Sequence, residues 1–185
     1  MFRKIANLDE RFSRYFYSHR LSPRADGLLR LYTRLGDGYV WALIVLLILG
    51  IYGPKFLALV LAQALPSLVV SLGLYWLVKL STRRKRPFDA IPGFKALVPP
   101  LDKFSFPSGH TMNNLAIATT VLLSVPAAGF VMMLLPLSWG FLRVYFGVHW
   151  LSDVVGGFLL GIASFALGRL AWIFVLSPVV EKLFG

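Results

Sequence analysis

Residues 56–80 read FLALVLAQALPSLVVSLGLYWLVKL, and Lys79 is the one charged side chain among them. The hydrocarbon core of a bilayer is about 30 Å thick, and a helix needs about 20 predominantly apolar residues to cross it. This run meets that length. No water reaches the core to satisfy backbone N–H and C=O groups, so the crossing form is a helix. Pro66 inside the run predicts a kink. The whole chain points the same way. Of its 185 residues 57% are hydrophobic and the mean hydropathy is +0.72. Soluble domains use about 45–50% apolar residues, and the excess here belongs in lipid.

Four further apolar stretches flank this one. Upstream, a short span runs from about Tyr39 to Gly53 and is punctuated by Pro54 and Lys55. Downstream, spans are expected from about Ser108 to Val125, from about Ala128 to Phe146 and from about His149 to Leu176. Residues 81–107 form a loop carrying Pro87, Pro92, Pro99 and Pro100. The expected fold is all-α: a polytopic membrane bundle of five transmembrane helices, or six if residues 21–35 dip into the membrane. Residues 1–36 form a separate amphipathic segment without the continuous apolar run of a cleavable leader, and residues 37–185 form the transmembrane domain. Within that segment Ile5, Leu8, Phe12, Tyr15 and Phe16 line one stripe, as in helices that lie on a membrane surface.

The net charge is +11. No polar domain exists to present that charge to a nucleic acid, so nucleic-acid binding is set aside. The charge reads instead as basic flanks facing anionic headgroups, compatible with an anionic lipid substrate. Cysteine is absent, which excludes disulfides and any thiolate nucleophile or ligand.

The span boundaries gather three polar segments on one side of the membrane, where ionisable residues are functional candidates. The first is Lys79 to Pro87, in which Lys79 and Arg86 can bind a phosphate as a point charge and a planar fork; alone it also fits a basic stop-transfer flank. The second is Phe106-Pro107-Ser108-Gly109-His110. Here Ser108 is a helix N-cap, and the first-turn amides with Gly109 form an anion site beside His110; alone it also fits a capped helix with an incidental histidine. The third holds Arg143, Gly147, His149 and Asp153. His149 and Asp153 are spaced as stacked neighbours on a helix, while Gly147 breaks the chain so that Arg143 comes from the preceding span. Alone it also fits a buried His–Asp pair holding two helices. Two histidines permit one to attack phosphorus and the other to protonate the leaving oxygen. No carboxylate cluster is spaced to hold a metal, so cations must stabilise the charge.

These segments resemble the signature of the type 2 phosphatidic acid phosphatase (PAP2) superfamily: Lys-x6-Arg-Pro, then Pro-Ser-Gly-His, then Ser-Arg-x5-His-x3-Asp. Lys79, Arg86 and Pro87 match the first, residues 107–110 the second, and Arg143, His149 and Asp153 the third. The resemblance implies a membrane lipid phosphatase working without metal or other cofactor through a phosphohistidine. His149 is the implied nucleophile, Asp153 its orienting partner and His110 the acid for the leaving group. Lys79, Arg86, Ser108, Gly109 and Arg143 are the implied holders of the phosphoryl oxygens. Two departures stand out: Leu142 replaces the serine of the third motif, and the first span of the common six-span form is missing. Phosphatidic acid, phosphatidylglycerophosphate, prenyl diphosphates such as undecaprenyl diphosphate, and lipid A phosphates all fit as substrates. A lipid phosphotransferase, a vanadate-dependent haloperoxidase and a non-catalytic lipid-binding protein are the rival readings.

Of the 19 lysines and arginines, only Lys55, Arg169 and Lys182 fall on the side away from the three segments. The positive-inside rule then places the candidate site on the cytoplasmic face of the inner membrane. Many bacterial members of the family face the periplasm instead. Two smaller features complete the reading. Gly157, Gly161, Ser164 and Gly168 form a small-residue packing stripe on the last span. Phe104, Phe106, Tyr145 and Trp150 either line a lipid entrance or anchor the interface.

Overall fold

The computed structural model describes residues 2–184, and among them every regular element is helical. Helices α1 (Phe2–Ser18) and α2 (Pro23–Arg34) lead through a tight turn at Leu35–Asp37 into α3 (Tyr39–Thr82). A single turn, α4 (Pro87–Ala90), interrupts the long loop to α5 (Gly109–Ser124). Then come α6 (Pro126–Tyr145), α7 (Leu151–Ala171), a wider π-helical stretch at Trp172–Leu176, and α8 (Ser177–Phe184).

Helix α3 is two arms. Gly53 leaves the helical region at φ 82° and ψ 173°, a conformation glycine adopts without steric cost, and Pro54 opens the second arm. The Gly-Pro pair therefore breaks the helix, as the sequence suggests. Pro66, by contrast, sits among residues with helical dihedrals throughout.

Polar side chains are buried inside the bundle while large apolar ones face outward. Helix α5 is the central element, wrapped by α3, α6 and α7, and its Thr111, Asn114, Thr119 and Thr120 are buried. Ser67 and Ser71 of α3 are buried as well, whereas Leu61, Leu65, Leu77, Phe130, Leu134 and Leu159 are exposed. Contiguous exposed leucine on long helices is stable only against an apolar solvent. Three helical stretches among the described residues are long and apolar enough to cross a membrane: Tyr39–Ala90, Pro126–Tyr145 and Leu151–Val179. Gly53 divides the first of them.

The small residues of α7 permit this wrapping. A Cβ at Gly157 or Gly161 would come within 2.8 Å of the Ser108 or Met112 carbonyl oxygen, and one at Gly168 within 2.4 Å of the Ser67 backbone. The stripe is the seam along which α7 meets α5 and α3.

Helix α3 ends at Arg83, a non-glycine residue held at φ 47° and ψ 34°. The left-handed conformation costs a side-chain-bearing residue about 1–2 kcal/mol, and glycine avoids most of it. Arg83 is exposed and its side chain reaches only the Leu80 carbonyl. Arg83→Gly is therefore expected to raise the melting midpoint in detergent, corresponding to about 1 kcal/mol. An unchanged or lowered midpoint would show that the cap is relaxed as it stands.

Candidate active site

The site is assembled where α3, α5, α6 and α7 end on one face. Helix α6 stops because Gly147 takes φ 73° and turns the chain back. The Val148 and His149 N–H groups both donate to the Arg143 carbonyl, at 3.0 and 3.2 Å, which pins the turn. Helix α7 begins only at Leu151. His149 thus lies in the turn before the helix, and the expected stacking of His149 over Asp153 on one helix face is corrected. Asp153 is instead the third helical residue, and it accepts the Trp150 N–H at 2.7 Å. The reversed turn brings the imidazole back over that carboxylate.

His149 is buried, with Nδ1 3.3 Å from Asp153 Oδ2 and Nε2 3.3 Å from Arg86 Nη1. Arginine has only donors, so Nε2 meets it with a lone pair and the ring proton sits on Nδ1, facing the carboxylate. Burial pushes the imidazole well below its ordinary range, with Asp153 opposing. A neutral ring with its lone pair on Nε2 is the nucleophilic form, and here that lone pair faces Arg86.

The cations converge on the same spot. Arg86 donates to the Val148 carbonyl at 2.7 Å and to the Asp102 carboxylate and carbonyl at 3.1 Å each. Lys79 is fully buried and donates to both Asp102 oxygens at 2.7 Å and to Tyr75 Oη at 2.8 Å. Asp102 is the counter-ion that lets two cations be buried side by side. Burial raises its carboxyl, but hydrogen bonds from Lys79 and Tyr75 win and hold it below the usual range. Arg143 is 4% exposed, donates one bond to the Pro99 carbonyl, and leaves its buried Nε without a partner. A buried guanidinium with a donor to spare suits an anion.

The Pro-Ser-Gly-His segment enters at the start of α5. Ser108 is the N-cap by backbone geometry, but its hydroxyl does not bond the first-turn amides; it accepts from Thr111 Oγ1 at 3.3 Å. Capping by the Ser108 side chain is thus corrected, and the first-turn amides keep no intrahelical partner. Ser108 N–H donates to the Asp153 carbonyl at 3.0 Å, which ties this segment to α7. Gly109 lies against Tyr75, whose ring a Cβ would meet at 2.9 Å. His110 is buried with Nε2 2.9 Å from Asp37 Oδ1, a close pair not aligned as a hydrogen bond. The His110 contact holds the Asp37 carboxyl below its usual range despite partial burial.

All eight residues named from the sequence therefore lie around this face. The structure adds Asp37, Asp102, Tyr75 and Ser105, whose hydroxyl donates to Asp153, together with the pair Asp9 and Arg84. One signal for them is present in the composition. The chain has 8 acids against 19 cations, so a carboxylate near the basic face will be held by one of them. Of the aromatics, Tyr145 donates to Asp26 at 2.6 Å and Trp150 Nε1 to the Lys85 carbonyl at 2.9 Å. Both bind structure together rather than line an entrance. A cavity of about 340 Å³, lined by Arg30, Arg34, Asp37, Pro99, Leu101 and Arg143 among others, opens from the site toward α2.

Known proteins resemble this chain in sequence and in fold. An undecaprenyl-diphosphatase of Sulfolobus acidocaldarius is 29% identical over 158 residues, covering 85% of this chain and 71% of the relative. A PAP2-type phosphatidylglycerolphosphate phosphatase from Bacillus subtilis superposes with a TM-score of 0.67 at 25% identity, over 97% of this chain and 88% of that one. Aquifex aeolicus LpxE superposes with a TM-score of 0.71 at 25% identity, over 87% of this chain and 94% of that one. The PAP2 superfamily profile matches residues 39–176, a stretch that contains all three polar segments, and the chain belongs to that superfamily.

Proposed function

We propose that this protein is an integral membrane phosphatase that hydrolyses a lipid phosphate or lipid diphosphate through a phosphohistidine intermediate. The observation that carries the reading is the placing of His149, with Nδ1 3.3 Å from Asp153 and Nε2 3.3 Å from Arg86. The Nε2 lone pair attacks phosphorus and the P–O bond to the leaving group breaks. His110 gives its proton to that oxygen, which departs as a lipid alcohol or lipid phosphate. Water then attacks the phosphohistidine, releasing inorganic phosphate and restoring His149. Lys79, Arg86, Arg143 and the amides after Ser108, with Gly109 allowing close approach, hold the phosphoryl oxygens. These three cations supply the positive charge the transition state needs, so the reading requires no metal.

In this reading residues 37–185 form the membrane domain. The two arms of α3 with α5, α6 and α7 make five crossings, and α5 is short because it is sheathed by the others. Residues 1–36 lie on the membrane surface. The exposed Ile5, Leu8, Phe12 and Tyr15 support that placement. The site faces the cytoplasm by the positive-inside rule.

The test is phosphate release by the purified protein from phosphatidic acid, phosphatidylglycerophosphate, farnesyl diphosphate and undecaprenyl diphosphate, with and without EDTA. Release from at least one lipid, undiminished by EDTA, is expected, and the rates rank the substrates. Release abolished by EDTA would overturn the metal-free mechanism; no release from any lipid would overturn the hydrolase assignment.

A further inference from the structure

Asp9 belongs to none of the three segments, yet it is 2% exposed and fully engaged. On α1 it is buried together with Ser13, while Ile5, Leu8, Phe12 and Tyr15 of the same helix are exposed. Its Oδ1 accepts the Ser152 N–H at 2.9 Å, and its Oδ2 accepts the Ser152 hydroxyl and Arg84 Nη2, each at 2.6 Å. The other nitrogen of Arg84, Nη1, donates to Asp153 Oδ1 at 2.6 Å and to the Ser152 hydroxyl at 2.6 Å. One guanidinium therefore bridges a carboxylate of the N-terminal helix and the carboxylate that faces His149.

Two positive features crowd Asp153. One is Arg84. The other is the N-terminus of α7, whose N-cap, Trp150, has no side-chain acceptor. Left alone, both draw the Asp153 charge away from the imidazole. Asp9 answers both at once: it shares Arg84, and it accepts the Ser152 amide as a capping residue borrowed from another helix. Asp153 is then left anionic toward His149 Nδ1. A buried carboxylate costs several kcal/mol unless paired in this way, and an apolar residue would seat α1 without that cost.

We propose that Asp9, acting through Arg84, is a positioning residue for the Asp153–His149 pair, so that the N-terminal helix is part of the active site. This inference rests on the phosphohistidine reading.

The test uses the full chain in detergent with Asp9→Asn, Asp9→Ser, Arg84→Gln, the double variant Asp9→Asn/Arg84→Gln, and His149→Ala. Kinetics are taken on the best lipid substrate. Binding of orthovanadate, which mimics the five-coordinate phosphoryl transition state, is followed separately by tryptophan fluorescence, since Trp150 adjoins His149. Asp9→Asn is expected to lower kcat about 10- to 100-fold, the loss typical of outer partners of metal-bound histidines. KM should stay within about twofold and the orthovanadate Kd should rise by a similar factor to the loss in kcat, as expected for interactions made mainly in the transition state. The double variant should lose no more than Asp9→Asn alone, because Asp9 works by balancing Arg84. Asp9→Ser keeps a cap but not the charge, and should show the kinetic loss with a melting midpoint near wild type. Unchanged kcat in Asp9→Asn, losses that multiply in the double variant, or a loss with wild-type orthovanadate affinity and a lowered midpoint would each overturn the proposal. Full activity in His149→Ala, or no orthovanadate binding by the wild type, would strike the phosphohistidine reading itself.

Discussion

His149→Ala is expected to lower phosphate release by at least about 10³-fold, because the covalent route disappears with the nucleophile. In the proposed mechanism what remains is charge stabilisation by Lys79, Arg86 and Arg143, which would bind a phosphate without attacking it. The fold should tolerate the change. Asp153 keeps Trp150 N–H, Ser105 and Arg84 as donors, so the buried carboxylate is not orphaned, and a stability cost of about 1–3 kcal/mol is expected. Lipid binding should persist within a few-fold, since the cations are untouched. The measurement is single-turnover phosphate release beside equilibrium binding of the lipid. Wild-type release with intact binding would remove His149 from the chemistry and leave Arg86 facing a merely structural ring.

The second large effect is expected at His110, and its size should depend on the leaving group. Protonating a lipid alcohol as it departs is worth about 10²–10⁴-fold, and His110→Ala should forfeit most of that. An aryl phosphate whose phenol is already a good leaving group needs no such proton. The variant should hydrolyse it within about tenfold of wild type if proton transfer makes up most of the His110 contribution. Equal losses on both substrates would show that His110 only shapes the pocket. Asp37 bears on the expectation, because it places a carboxylate 2.9 Å from Nε2, where it opposes the burial that favours the neutral ring. The pairing depends on the turn between α2 and α3. A Cβ at Gly36 would strike His110 Cδ2 at 2.7 Å and Trp139 at 2.9 Å, so only glycine lets that turn pack on the histidine.

Much of this was legible because it is local. The break at Gly53-Pro54 follows from backbone preferences, and the turn at Gly147 likewise. The meeting of His149 with Asp153 was expected, but for a different reason: a ridge on one helix was anticipated, and a reversed turn against the first turn of α7 is what occurs. The N-cap role of Ser108 was read correctly from its place ahead of an apolar run, but its hydroxyl turns to Thr111. Such details hinge on rotamers and neighbours that no spacing encodes.

By itself the sequence determined the solvent and the superfamily. Apolar runs of these lengths have one stable environment, and the three polar motifs in this order mark the superfamily, since both depend on residue type and short spacing. The tertiary structure alone decided how charge is balanced: Asp102 between Lys79 and Arg86, Asp37 beside His110, and Asp9 joined through Arg84 to Asp153. Those partners come from distant parts of the chain. In a dry interior each buried charge must find an opposite one, and which one it finds depends on how the helices pack around α5.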